Sequence, residues 1–151
     1  MRIIETTDAA LVYTLMQQAF EEYAKDVVPS SALQEQLITV EAAQARGERA
    51  LVAYKGDGAV GMVRFTEGEY IDFYRLSVPP RYRRQGIAKA LVRALLRYNK
   101  PLVCKVRKKE TRNMALYQAL GFNITAEYSV NHGAGELTVV RMERPCVIVN
   151  G

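Results

Sequence analysis

Residues 50–78 constrain the fold most, because they read as three strands in direct succession. The runs 50–54 and 59–66 flank Lys55-Gly56-Asp57-Gly58, a turn with two residues free to take positive φ. Gly68 allows another reversal into 70–78, and Pro79-Pro80 cannot continue a ladder and ends the meander. Such a meander builds a sheet, and the flanking segments must cover it.

Those flanks change period. After a short β-prone run at 2–6, Thr7 or Asp8 can cap a helix with Leu11, Leu15, Ala19 and Tyr23 on one face and Val12, Met16 and Phe20 beside them. Val28-Pro29 breaks that helix. Ser30 and Ser31 open a second one, where Ser31 with Gln34 resembles a capping box. Ala32, Leu33, Leu37 and Val40 form its apolar stripe, and Arg46-Gly47 closes it. Beyond the meander, Ile87, Ala88, Leu91, Val92 and Leu95 keep a helical period, with Lys89, Arg93 and Arg97 on the wet face. A strand at 101–106 precedes a helix at 111–120 with Ala115, Leu116, Ala119 and Leu120 inward and Gly121 at the αL end. The runs 122–130 and 136–143 make a closing hairpin. The order βααβββαβαββ predicts one α+β domain over 1–144, with a single sheet and helices on its faces. Residues 145–151 form an apolar tail, docked on the sheet edge or against a second subunit.

Composition narrows the function classes. At 151 residues, 49% apolar and 25% charged, the chain has the make-up of a soluble globular domain rather than a disordered one. No apolar run reaches the ~20 residues of a membrane span. Cys104, Cys146 and the single His132 cannot supply a zinc site of the usual type, so no metal is expected. Met1-Arg2-Ile3-Ile4 followed by Glu5 and Asp8 is unlike a signal peptide, which predicts a cytoplasmic protein with reduced thiols.

Charge is sharply segregated. Residues 1–80 carry a net −5, residues 81–112 a net +11 and the remainder a net −1. One segment is therefore expected to meet an anion. It begins where the last strand of the meander meets Arg81-Tyr82-Arg83-Arg84-Gln85-Gly86-Ile87-Ala88 and a helix start. Unpaired backbone N–H groups converge there, the helix dipole adds roughly half a positive charge, and arginines add more, which suits a phosphate or pyrophosphate. Gly86 lets backbone approach the ligand and Ala88 keeps the next turn thin. No Gly-Lys-Ser/Thr follows, and Gly86 lacks the partners of a dinucleotide fingerprint. Taken alone, a solvated turn reads equally well.

Downstream, Tyr117 lies 31 residues after Gly86 within Ala115-Leu116-Tyr117-Gln118-Ala119-Leu120-Gly121-Phe122. The strand, the R-x-x-G-x-A loop, the helix, a further strand and this A-L-Y-x-x-L-G-F segment together resemble the Gcn5-related N-acetyltransferase (GNAT) superfamily. The resemblance extends to the element order of nearly the whole chain and is specific at superfamily level, with the subfamily not identified. It implies a GNAT-like fold with a mixed, mostly antiparallel sheet, and acetyl-CoA (coenzyme A) as cofactor. The loop Arg83, Arg84, Gln85, Gly86, Ile87 and Ala88 would bind the pyrophosphate. The backbone of Leu76, Ser77 and Val78 would pair with the pantetheine arm, and the Leu76 N–H would polarise the thioester carbonyl. Tyr117 would protonate or hydrogen-bond the departing thiolate, a transfer from a group of pKa ~10 to one of ~8.5 that the site must tune; without the motif it reads as a packed aromatic on an apolar face.

Asp72 lies 14 residues before Gly86, where histone-type relatives carry a general-base glutamate; it is a methylene shorter and would act through a water, or it faces solvent or orients a cationic substrate. Many relatives place an asparagine seven residues before the tyrosine and a small residue four before it, where this chain has Glu110 and Asn113. Asn113 either reaches the cofactor from a neighbouring turn or the contact is missing. His132 could rim the acceptor pocket, and Glu21, Glu22 and Tyr23 could meet a cationic amine; a lone loop histidine is more often plain surface, and a solvated helix end is the better account of the two glutamates. Cys104 reads as a small core residue.

The expected function is an acetyl-CoA-dependent N-acetyltransferase that moves an acetyl group to a primary amine of a small molecule or peptide by direct attack in a ternary complex, as monomer or homodimer. Two alternatives stand beside it: a catalytically silent acyl-CoA-binding sensor, and a basic nucleic-acid-binding module. No aromatic interleaves with the Lys89, Arg93, Arg97 stripe as a base-stacking surface would need, which speaks against nucleic acid.

Overall fold

The computed structural model describes residues 1–21, 31–131 and 135–146. Glu22, Tyr23, the Val28-Pro29 break, Ser30, the Ser31 side chain, His132 with loop 132–134, and the tail from 147 lie outside the described residues.

The described elements run β1 (Arg2–Thr6), α1 (Ala9–Phe20), α2 (Leu37–Ala45), β2 (Arg49–Lys55), β3 (Gly58–Glu67), β4 (Ile71–Ser77), α3 (Ile87–Ala94), β5 (Leu102–Arg107), α4 (Thr111–Ala119), β6 (Asn123–Asn131) and β7 (Glu136–Arg144). The strands form one seven-stranded sheet in the order β1-β2-β3-β4-β5-β7-β6. Every neighbouring pair is antiparallel except β4 and β5, which are parallel. The expected mixed, mostly antiparallel α+β architecture is the observed one.

Each face of the sheet carries its own core. On one face, α1 lays Val12, Leu15 and Met16 on Ala50, Val52 and Met62, with Ala32 and Val40 beside them. The α1 side chains follow the helical i, i+3, i+4, i+7 stripe, and the Asp8 carboxylate caps the helix by accepting the Leu11 N–H at 3.1 Å. On the other face, Ile87, Leu91 and Val92 of α3 and Tyr117 of α4 cover Leu51, Val63, Phe73, Cys104 and Val140. Helix α3 sits close because β3 has Gly61 beneath it. A Cβ there would stand 2.9 Å from Ile87 Cγ2 and 3.3 Å from Leu91 Cδ1.

Two expectations are corrected. The helix predicted from Ser30 and Ser31 divides into a 3₁₀ turn (Ser31–Gln34), an extended link with Gln36 at φ −107° and ψ 162°, and α2. The link lets the Glu35 carboxylate reach two arginines of the sheet, and of the predicted stripe only Ala32 and Val40 are buried. In α4 the inward residue is Tyr117; Ala115 and Ala119 are exposed, and Leu116 and Leu120 half-buried. An aromatic ring fills the space against Phe73 and Phe122 that small side chains would leave empty.

Candidate active site

Strands β4 and β5 pair in register at only two positions, Ile71↔Leu102 and Asp72↔Val103. Each strand takes a different course beyond that point, and β4 does so through a bulge. Tyr74 pairs with Arg64 and Ser77 with Met62, so Arg75 and Leu76 together face the single residue Val63. The extra residue reverses the alternation of the strand. Ile71 and Phe73 point into the core under α3 and α4; past the bulge it is Leu76 and Val78 that pack on that side. Without the bulge, the Arg75 guanidinium would point there instead. Arg75 takes φ +54°, a left-handed value that costs a side-chain-bearing residue roughly 1–2 kcal/mol.

The parting strands open a cleft of about 830 Å³, within the usual range of ligand sites. Leu76 and Val78 form one wall, and Asn113 and Leu116 of α4 form the other. At its mouth the loop before α3 turns through two left-handed residues, Arg84 at φ +63° and Gly86 at φ +76°. Successive N–H groups so turned form a concave nest, and the first turn of α3 adds its own unpaired donors. Arg83, Arg84, Lys89, Lys109 and Arg112 line the same cleft, against one carboxylate among the described residues, that of Glu110.

Of the residues expected at the cofactor, Leu76, Val78, Arg83, Arg84, Gly86, Ile87, Ala88 and Asn113 all line this cleft. Ser77 does not: its hydroxyl is buried and donates to the Arg75 carbonyl at 2.7 Å, bracing the bulge. Gln85 is exposed and accepts a hydrogen bond from Lys55. Arg83 has a second task, since its Nε donates to the Val78 carbonyl and its Nη2 to the Ala19 carbonyl, each at 3.1 Å. It thus ties the end of β4 to α1 from within the cleft lining. Arg81 stacks over the Tyr82 ring, 4.9 Å from its centroid.

Tyr117 is buried and packs edge-on against Phe73, the first β4 residue past the last paired position, with ring centroids 5.7 Å apart. It therefore stands at the level where the strands part, next in sequence to Leu116 of the cleft wall. Asp72 lies on the opposite sheet face from Ile71 and Phe73 and is half-buried. Burial raises its carboxyl above the ordinary range, while Lys105 and Arg141 on the neighbouring strands pull it down. Cys104 is buried in the core, which pushes its thiol up to about 12 and leaves it inert at neutral pH.

Sequence reasoning missed three features. Lys109, Thr111 and Arg112 line the cleft; the signal for the lysine and the arginine was the +11 surplus of residues 81–112, and Thr111 had none. The bulge was legible as a phase slip in the apolar alternation, from 71 and 73 to 76 and 78. Nothing in the sequence pointed to the buried cluster behind the bulge. There Arg64 holds Glu48 through two bonds of 2.8 and 3.0 Å and Glu35 through one of 2.9 Å, and the Tyr74 hydroxyl also donates to Glu48. Among the described residues no group of His, Cys, Asp or Glu could hold a metal ion, and no helix is long and apolar enough to cross a membrane.

Fold and cleft together define an α+β domain with a cation-lined cleft where two of its strands part. The family model of the acetyltransferase (GNAT) domain matches residues 46–124, just over half of the chain. The chain belongs to the GNAT acetyltransferase family. Among curated proteins none matches its sequence. Solved structures share the fold at low identity. One is smu.2055 from Streptococcus mutans UA159, with a TM-score of 0.79 at 16% identity over 97% of this chain and 100% of that one. Another is the ribosomal-protein-alanine N-acetyltransferase of Brucella melitensis, with a TM-score of 0.76 at 16% identity over 96% and 99%. A third is yncA from Salmonella typhimurium, solved with its cofactor acetyl-CoA, with a TM-score of 0.70 at 17% identity over 100% and 98%.

Proposed function

We propose that this protein is an acetyl-CoA-dependent N-acetyltransferase that acetylates a primary amine of a small molecule or peptide by direct attack in a ternary complex. The observation that carries this reading is the cleft itself. It opens where β4 and β5 part, has the β4 bulge on one wall, and has a backbone nest at its mouth. Its donor set fits acetyl-CoA, with N–H groups and cations at one end for the pyrophosphate and the apolar Leu76, Val78, Ile87 and Leu116 along the pantetheine path. When bound, acetyl-CoA supplies an acetyl thioester and a thiolate leaving group.

The chain's own residues then have distinct tasks. Leu76 belongs to the bulge and has no partner in the β3 register, so its N–H is the donor assigned to the thioester carbonyl oxygen. Asp72, on the α1–α2 face of the sheet, takes a proton from the incoming amine through a water. Its raised carboxyl makes it a stronger base than an ordinary aspartate. Tyr117 would hold a proton at its phenolic oxygen for the departing thiolate sulfur.

The test is a thermal shift followed by a turnover assay. Acetyl-CoA at 100 times its dissociation constant should add ~2.7 kcal/mol of stability. A panel of small and peptide amines should then release free thiol. Absence of a shift, with salt-sensitive DNA binding in its place, would sink the proposal. The basic segment is already dispersed, since Lys100 pairs with Glu67 at 3.0 Å and Lys108 with Glu127 at 2.8 Å, while five other cations line the cleft. A second reading, the silent acyl-CoA sensor, draws on the burial of Tyr117 away from the cleft lining. Binding without thiol release across the panel would favour it.

A further inference from the structure

The bulge that aims Leu76 is a strained feature, and the structure shows what holds it. Arg75 keeps φ +54° although it carries a side chain that disfavours the conformation. Its guanidinium meets one oxygen of Glu35 twice, through Nε and through Nη2, each at 3.0 Å. The other oxygen of Glu35 accepts from Arg64 Nη1 at 2.9 Å. Arg64 is 3% exposed and anchored in turn by both oxygens of Glu48. Glu35 is therefore a rigid bracket rather than a surface partner.

The bracket comes from an unusual place. Glu35 sits in the extended link between the 3₁₀ turn and α2, 40 residues from Arg75 in sequence. The 3₁₀ turn that leads into the link is fastened to α1 by Gln17, whose amide donates to the Ala32 carbonyl at 3.0 Å. Interrupting the helix puts a carboxylate where an unbroken helix would not.

We propose that Glu35 is a positioning residue for acyl transfer: by clamping Arg75 in its left-handed conformation it holds the bulge that presents the Leu76 N–H to the thioester carbonyl. The inference rests on the acetyltransferase reading. Removing the clamp allows Arg75 to relax toward ordinary strand geometry, which turns the Leu76 peptide away and leaves the rest of the cleft intact. A glycine at 75 has no such preference and needs no clamp.

Binding calorimetry on the full chain tests this with two probes: acetyl-CoA, and S-ethyl-CoA, a thioether in which a methylene replaces the carbonyl. The unmutated protein should bind acetyl-CoA about fivefold more tightly than S-ethyl-CoA, the worth of one net hydrogen bond. In Glu35→Ala that preference should vanish while S-ethyl-CoA affinity stays about the same. In Glu35→Ala with Arg75→Gly it should return. Glu35→Gln, which keeps the shape of the side chain, is read in the same way and covers failure of the alanine variant to fold. An unchanged preference in Glu35→Ala overturns the proposal. So does an equal loss of affinity for both probes, which would mark Glu35 as a general stabiliser, and so does failure of Arg75→Gly to rescue. Failure of the unmutated protein to bind either probe overturns the acetyltransferase reading, and this inference with it.

Discussion

Tyr117 and Asp72 each combine a structural environment with a proposed chemical task, and single-atom changes separate the two. The Tyr117 ring packs with Phe73 and Phe122, so truncating it would open a core cavity and reveal nothing about the hydroxyl. Tyr117→Phe keeps the ring. It should lower kcat by ~10²-fold while leaving cofactor affinity unchanged and costing no more than ~1.5 kcal/mol of stability. Unaltered turnover in steady-state assays would remove Tyr117 from the mechanism. Asp72 separates along the pH axis. Its folded-state pKa is raised by burial, so the folded protein holds that proton more tightly than the unfolded chain does. The associated stability is present in acid and lost as pH rises through the raised value. Asp72→Asn should therefore be more stable than the parent at neutral pH in urea unfolding, with the difference closing in acid. Its turnover should nonetheless fall by ~10²-fold if the carboxylate is the base. A variant less stable at neutral pH would contradict the burial account.

At the scale of elements, the α3 end of the cleft depends on how closely α3 approaches β3. Gly61 sets that distance, since a Cβ there would press on Ile87 and Leu91, and on the Ser77 carbonyl at 3.2 Å. Gly61→Val should cost ~1–3 kcal/mol by overpacking. Because Ile87 opens α3 directly after the nest, the same change should also weaken acetyl-CoA binding. Urea midpoints and calorimetry read the two effects, and an unchanged midpoint would show that α3 can retreat freely. Local periodicity announced the strands of the meander, helix α1 and the loop into α3, because each answers to near neighbours in the chain. Helix α4 misled for the same reason. Its alanines and leucines formed a plausible inward stripe, but the space beneath them is shaped by Phe73 and Phe122, and an aromatic ring fits it better. The second helix misled because its interruption serves Arg64 and Arg75, which lie on strands far along the chain.

Across the whole molecule, the cleft draws on both layers: Ala19 and Phe20 of α1 line it together with residues of α3 and α4, while Asp72, Lys105 and Arg141 lie on the side of the sheet covered in part by α1 and α2. By itself the amino-acid sequence determined the element order, the α+β class and the basic segment that opens at the loop before α3, together with the family that these resemble. Those properties follow from turn residues, hydrophobic period and local charge, which act over a few residues. Only the tertiary structure decided where β4 and β5 part, that Arg75 is forced left-handed so that Leu76 faces the cleft, and that Lys109 and Arg112 join the loop arginines around it. Each of these depends on strand register and on side chains meeting from distant segments, and a register is an agreement between chains of residues that no single segment encodes.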